Sequence, residues 1–445
     1  MRCFIFVRKS IFHTHMLKKI FGFDTKQHNV RTEVIAGITS FLMMAFILAV
    51  NPGIFSALSD MPTGAVFTAT ALAAVIGTLC MAIIAKRPFG LAPGMGLNTF
   101  FVYTVCLGMG YSWQFALTAV FLEGIVFIII TLTGLREAIV NAIPRTLRYA
   151  MSAGIGLFIA FNGMSNAGLI VDSPTTFVAL GEIASPQCLL MLGTLFVTSA
   201  LIVRKVPGAL LIGVVLSTLI GIPMGVTNFN GIVSMPHSVA PIFCQFEWHN
   251  IFSLDMFVII FTFMFIDLFD TLGTVIGVCT KAGMLNTQGN IPRLKQIFLA
   301  DAIATTAGAM LGTSTTTTYV ESASGVQQGG RTGLTAFVIA LCFAVSLFFS
   351  PLFLSVPAAA TGAVLVIVGS FMLEPLAKIK LNDYCETIPA FVCIITMPLA
   401  FSISDGIMLG VISYTFINLL STGMRNLNIG TLILSALFLG KLLFF

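Results

Sequence analysis

The chain has 445 residues, of which 57% are hydrophobic and only 9% charged, with a mean hydropathy of +1.02 and a formal net charge of +5. So few charges cannot wet the outside of a soluble enzyme or a nucleic-acid-binding module of this length, and apolar runs recur from about residue 33 to the C-terminus, so the composition specifies an all-α polytopic membrane protein. The nine cysteines are scattered, with no CxxC and no metal-type spacing, so they read as packing residues and no metal, cofactor or nucleic-acid partner is expected.

In chain order, residues 1–32 read as a basic cytoplasmic segment. Its first fifteen residues, "MRCFIFVRKSIFHTH", precede Met16 and lack the apolar core and cleavage site of a signal peptide, so they are expected to reflect a start assigned too far upstream. Hydropathy, interrupted at Gly, Pro and polar clusters, then places about fourteen spans near 33–56, 66–85, 90–108, 114–134, 146–166, 187–203, 207–222, 255–279, 296–311, 313–330, 333–350, 356–374, 387–402 and 405–421. Seven of them fall in 33–235 and seven in 250–424. The apolar tail 425–445 carries Lys441 near its end and is expected to lie at the membrane interface.

The twenty-two lysines and arginines test this layout, because all but Lys441 fall before the first span or beside a connection that follows an even-numbered one. Positive charge is retained on the cytoplasmic side, so both termini of the fourteen-span core are expected to be cytoplasmic. The stretch from Val206 to Thr280, which holds no lysine or arginine, is accounted for by the same count.

The two halves carry a weak internal repeat. "AMSAGIGLFIAFNGM" from Ala150 aligns without gaps on "AAATGAVLVIVGSFM" from Ala358, and these are the fifth and twelfth spans. Seven is odd, so the halves are expected to lie inverted across the membrane, as in many secondary transporters. Such folds interrupt matching spans near the membrane centre. The third span supplies "GLAPGMGLNTFF" from Gly90 and the tenth supplies "GTSTTTTYVESASG" from Gly312. Both are expected to form a short extended piece that feeds a half-helix.

Within the eighth span, "FTFMFIDLFDTLGT" places Asp267 and Asp270 on one helix face. Burying two carboxylates in hydrocarbon costs several kcal/mol unless each is paired, protonated or hydrogen-bonded. No lysine, arginine or histidine lies deep in a span to pair with them, so protons and nearby hydroxyls such as Thr271, Thr274 and the threonine run are expected to neutralise them. Glu321, beside the tenth-span break, reads as a ligand residue, and Asn98 reads as a half-helix cap, a ligand contact or both. Asp301 reads as a residue that holds helices together or assists gating, and Glu123, with no polar company in "FLEGIVF", reads as structural or interfacial. Acids, amides and hydroxyls suit a neutral solute rich in N–H donors, such as a flat heterocycle flanked by Phe100, Phe101 or Phe269. The absence of a Walker A motif points to an ion gradient, most simply protons, as the energy source.

Four stretches in order, "RTEVIAGITSFLMMAFILAVNPGIF", "GLAPGMGLNTFF", "FTFMFIDLFDTLGTVIGV" and "LADAIATTAGAMLGTSTTTTYVESASGV", resemble the AzgA-like purine permeases, a branch of the nucleobase cation symporter 2 (nucleobase-ascorbate transporter) family. The resemblance runs from about Phe21 to the C-terminus. It implies a fold of two inverted seven-span repeats with core and gate domains, working as a homodimer by an elevator-like movement in the inner (cytoplasmic) membrane. It also implies proton-coupled import of adenine or of guanine and hypoxanthine. Carried over residue by residue, it implies a substrate site of Asn98, Asp267 and Glu321 with Thr318 and Phe269 beside them, and proton coupling through Asp267, Glu321 and Asp270. Glu321 would meet the N–H edge of the purine, Asp267 would bind or relay the proton, and Asn98 would orient the base. The rival reading is an anion transporter of the sulfate-permease fold, which would place a basic or small neutral residue where Glu321 stands.

Overall fold

The computed structural model describes residues 18–133, 144–229, 231–249, 251–281, 284, 291–379, 382–421, 423 and 427–444, and for a few of these, Phe269 among them, only the backbone. The expected upstream extension 1–15 lies outside the described residues.

Apolar helices succeed one another at the places the hydropathy marks. The first span, Val30–Phe55, is capped by the Asn29 side chain, which accepts from the Arg31 N–H at 2.9 Å. It breaks briefly after Met44, ahead of Pro52, which cannot donate to the preceding turn. Thr63–Ala85 forms the second span and ends in a wide π-type turn, Met81–Ala85, after which Lys86 turns left-handed at φ 56°. Trp113–Thr133 is the fourth, Arg145–Asn166 the fifth, Pro186–Val203 the sixth and Ala209–Gly221 the seventh. The eighth, Leu254–Lys281, is unbroken over 28 residues. Leu294–Leu311, Gly333–Leu354, Ala358–Lys378, Tyr384–Leu399 and Ile403–Ser421 are the ninth and the eleventh to fourteenth. Among the described residues, six helices are long and apolar enough to cross a membrane by length and composition alone.

The third and tenth spans are the interrupted pair. In the third, strand β1 (Leu91–Pro93) leads into a helix over Met95–Gly108. The tenth runs from a strand over Thr316–Thr318 into a helix of only six residues, Ser322–Gln327. An element that hydropathy does not reveal stands between the fifth and sixth spans. There Ile170–Ser173 (β2) and Phe177–Leu180 (β3) pair as an exposed antiparallel hairpin, so the tenth-span strand is β4 in chain order.

Packing obeys an inverted two-fold pattern. The fourth span lies against the ninth and, correspondingly, the eleventh against the second, while the fifth and twelfth pack on each other. The last pair meets glycine to backbone. A Cβ on Gly163 would come within 2.6 Å of the Gly362 carbonyl oxygen, and one on Gly156 within 2.5 Å of that of Gly369. Spans 1–4 and 8–11 form one set of neighbours, the core domain, and spans 5–7 and 12–14 form the other, the gate domain. The C-terminal helix, Ile429–Phe444, expected as an interfacial tail, buries Leu434 and Phe438 against the bundle. It packs along the fourteenth span and sets Phe438 on Phe261 of the eighth, with ring centroids 5.7 Å apart.

Candidate functional site

The core domain is organised around the two strands that cross within it. β1 and β4 run antiparallel in the register Leu91↔Thr318, Ala92↔Thr317 and Pro93↔Thr316. The pairing extends at both ends, because the Gly94 N–H donates to the Thr315 carbonyl and the Tyr319 N–H to the Gly90 carbonyl, both at 3.0 Å. In hydrocarbon such backbone must be satisfied from within the protein, and side chains complete the task. Thr78 Oγ1 both accepts from the Leu91 N–H at 2.9 Å and donates to the Leu91 carbonyl at 3.1 Å. The Gly90 N–H donates to Ser322 Oγ at 2.9 Å, and the Tyr319 hydroxyl to the Pro93 carbonyl at 2.6 Å.

The run of hydroxyls "TSTTTT" is explained rung by rung. Asn51 of the first span donates through Nδ2 to Thr313 Oγ1 at 3.1 Å, and Ser314 Oγ donates to Asn98 Oδ1 of the third. Thr315 Oγ1 donates to Glu123 Oε2 of the fourth at 2.7 Å, and Thr305 Oγ1 of the ninth donates to the Thr316 carbonyl at 3.1 Å. Thr317 Oγ1 shares a hydrogen bond of 2.8 Å with Thr271 Oγ1 of the eighth, and Thr318 Oγ1 faces Asp301 Oδ1 of the ninth at 3.5 Å. Every anchor comes from a core span. The hydroxyls of Thr313, Ser314, Thr315, Thr317 and Thr318 therefore lie in a fully buried segment because each has a polar partner on a neighbouring helix, while among the described residues the Thr316 hydroxyl has none and only its carbonyl is bonded.

The carboxylates gather beside this strand. Asp267 is 0% exposed, and neither of its carboxylate oxygens has a hydrogen-bond partner among the described residues. Its electrostatic neighbours are Asp301, Glu123 and Asp270, and the Thr317 hydroxyl lies beside it while sharing a hydrogen bond with Thr271. Asp301 is held by Thr271, which donates to Oδ2 at 2.9 Å. Asp270 is half-buried and faces Glu321 and Tyr319. Glu321 stands at the cap position of the six-residue helix, makes no capping bond with its side chain, and is 8% exposed. Among the described residues, no lysine, arginine or histidine pairs with Glu123, Asp267, Asp270 or Glu321. The site offers acceptors to N–H donors and carboxyl oxygens on which a proton can rest.

The structure thus brings Asn98, Asp267, Asp270, Thr318 and Glu321 into one domain, around one pair of strands. Asn98 is not a helix cap. That position belongs to Gly94, and the Asn98 N–H closes the first turn onto the Gly94 carbonyl at 2.8 Å; among the described residues its buried side-chain Nδ2 has no partner. Asp270 caps nothing either, because the eighth span is continuous there. Phe100 packs edge-on against Phe263 at 4.8 Å and Phe101 lies against Phe55 at 5.1 Å, so both rings are spent on the core; the side chain of Phe269 lies outside the described residues. Glu123 corrects its expected isolation, since it is fully buried and bonded to Thr315. Asn51, in "AVNPGIF", is an anchor that the sequence reading does not single out. The signal for both is a polar side chain in an apolar span, and the sequence does not tell which span it faces.

Comparison with known proteins agrees with this architecture. The transmembrane domain of a cyanobacterium bicarbonate transporter, BicA, superposes with a TM-score of 0.65 at 17% identity, covering 86% of this chain and 98% of that one, which shows a shared fold. Adenine permease AdeP of Escherichia coli (strain K12) is 41% identical over 429 residues, 96% of each chain. Guanine/hypoxanthine permease PbuG of Bacillus subtilis (strain 168) is 42% identical over 409 residues, covering 89% of this chain and 93% of that protein. The family described as Permease family (Xan_ur_permease) matches residues 31–409. With its paired interrupted spans, its acidic site and relatives that match nearly end to end, the chain belongs to this permease family, in the AzgA-like purine permease branch that its motifs resemble.

Proposed function

We propose that the chain imports purine nucleobases across the cytoplasmic membrane by proton symport, with the core domain carrying the base past the gate domain in an elevator-like movement. The observation that carries this reading is Asp267, a wholly buried acid beside the crossing strands with neither oxygen partnered among the described residues. A proton neutralises such a group most simply, and its arrival and departure give a gradient something to act on. Relatives that transport adenine or guanine and hypoxanthine support the substrate class. Glu321 would accept from the N–H edge of the purine, Asp270 would assist it, and Asn98 would offer its unpartnered Nδ2 to a ring nitrogen or carbonyl. Thr318 would set the floor of the site, and Phe269 would stack on the ring. The acidic lining disfavours the anion-transport reading, because a buried anion beside these carboxylates would lack a cationic partner. Both termini of the fourteen-span core would lie in the cytoplasm, and a homodimer would be the working unit.

The test is uptake of radiolabelled adenine, guanine, hypoxanthine and uracil into cells without purine permeases of their own, with and without a protonophore. Wild type should accumulate purines and not uracil, and the protonophore should abolish accumulation. Glu321→Gln should lower uptake by about 10–100-fold at equal expression, the loss expected when a hydrogen bond to a charged group goes, and Asp267→Asn, which cannot take up and release a proton, should lose protonophore-sensitive accumulation. A well-expressed wild type that takes up no purine would reject the proposal.

A further inference from the structure

We infer that Glu123 is a positioning residue for the candidate site. Through Thr315 it holds the tenth-span strand in the register that sets Asn98 and Thr318 in place. Its effect on ligand affinity rests on the nucleobase reading above; the anchoring rests on geometry alone.

Glu123 lies in the middle of the fourth span, fully buried, with Oε2 accepting from Thr315 Oγ1 at 2.7 Å and, among the described residues, no partner for Oε1. The groups that face it are acidic, Asp301 of the ninth span and Asp267 of the eighth. Burying a carboxyl here costs several kcal/mol, and a leucine would suit the surrounding apolar helix, so the fold of the fourth span alone does not account for an acid. Its backbone is clamped. The next residue, Gly124, runs against the ninth span so closely that a Cβ would sit 2.9 Å from the Thr306 nitrogen, and the helix cannot shift to release the side chain.

Thr315 is held from a second direction, because its carbonyl accepts from Gly94, the residue that opens the helix bearing Asn98. Its neighbour Ser314 donates to Asn98 itself. Successive side chains of an extended segment point to opposite faces, so the third and fourth spans grip Ser314 and Thr315 from opposite sides. Without the Glu123 anchor, a slip of one residue would turn the later hydroxyls, Thr318 included, to the wrong face.

The experiment uses the whole protein in lipid nanodiscs, as wild type, Glu123→Leu, Glu123→Gln, Thr315→Val and the double variant Glu123→Leu/Thr315→Val. Hydrogen exchange of peptides covering residues 312–322, without ligand, should speed up about tenfold in Glu123→Leu and Thr315→Val, the loss expected for one buried hydrogen bond. Glu123→Gln, whose amide oxygen accepts the same bond, should exchange like wild type. Tritiated adenine and hypoxanthine should bind about tenfold more weakly to the Leu and Val variants, and the double variant should be no worse than either single one. Unchanged exchange in both single variants overturns the anchoring, and Glu123→Gln behaving like Glu123→Leu assigns the effect to the acid rather than to its acceptor and overturns it as well. Faster exchange with unchanged affinity overturns the link to the site. A wild type that binds no nucleobase defeats the transport reading while the exchange measurement still decides the anchoring. Thr315→Val carries the test should Glu123→Leu fail to fold.

Discussion

At Gly163 the fifth span approaches the twelfth so closely that the side chain of any other residue would meet the Gly362 carbonyl. Gly163→Ala should therefore lower stability by about 1–3 kcal/mol, the usual cost of overpacking. Gly193→Ala, on the sixth span where nothing lies within 4 Å, should be neutral or slightly stabilising, because alanine is the better helix former. Thermal unfolding in detergent of the two variants checks the contrast. Residues of the candidate site were legible one at a time, for a physical reason. Asp267, Glu321 and Asn98 each interrupt apolar sequence, and the expense of a polar group in lipid marks them wherever they occur. Their partners were hidden. That Ser314 serves Asn98, or Thr315 serves Glu123, depends on which helix faces which, and each pair is separated by much of the chain. A side chain spent on packing also looks the same in sequence as one free to meet a ligand, which is why the sequence offers Phe100 and Phe101, as alternatives to Phe269, as flanks for a heterocycle, while the structure packs both in the core.

Among the elements, the crossing strands are the least self-sufficient, since their ends are finished by side chains from elsewhere. Ser322→Ala removes the acceptor of the Gly90 N–H just before β1 and leaves a buried donor unsatisfied. The expected cost is about 1–3 kcal/mol, with faster amide exchange at Gly90 and little change in the ninth span. A melting curve together with residue-level exchange would detect both effects. The interruption of the third and tenth spans was visible because Pro93, Gly94 and a run of β-branched threonines each oppose a continuous helix. The length of the helix beyond each interruption was not. Met95–Gly108 makes a substantial helix, whereas Ser322–Gln327 stops at six residues before the turn at Gln328 and Gly329. The β2–β3 hairpin is invisible to a search for long apolar runs, which passes over two four-residue strands with an exposed, mixed composition.

Over the whole molecule, the side-chain bonds that fix the β4 segment come from spans 1, 3, 4, 8 and 9, and none comes from spans 5–7 or 12–14 among the described residues. The gate domain meets the core mainly through apolar side chains, such as Phe401 against Tyr103 at 6.1 Å, with isolated polar contacts such as Asn166 Nδ2 to the Tyr103 hydroxyl at 2.6 Å. On the elevator reading proposed above, a surface of this kind would slide without breaking the site. The charge asymmetry makes a separate prediction about orientation. In a background whose native cysteines are replaced, Thr175→Cys in the β2–β3 turn should react with a membrane-impermeant maleimide on intact cells, and Lys205→Cys should react only after lysis. The pairing of β1 with β4 also bears on how the protein is made. About half of the chain separates the two strands. At roughly 5–20 residues per second of synthesis, β1 waits on the order of tens of seconds for its partner. Throughout that interval β1 lacks β4, with Leu91 alone held by Thr78 of the second span, so the nascent first half would need shelter from the insertion machinery or from water until the tenth span emerges. Biogenesis, rather than transport, then sets the harshest demand on this segment, and a ribosome stalled before Gly312 should leave a product marked for proteolysis.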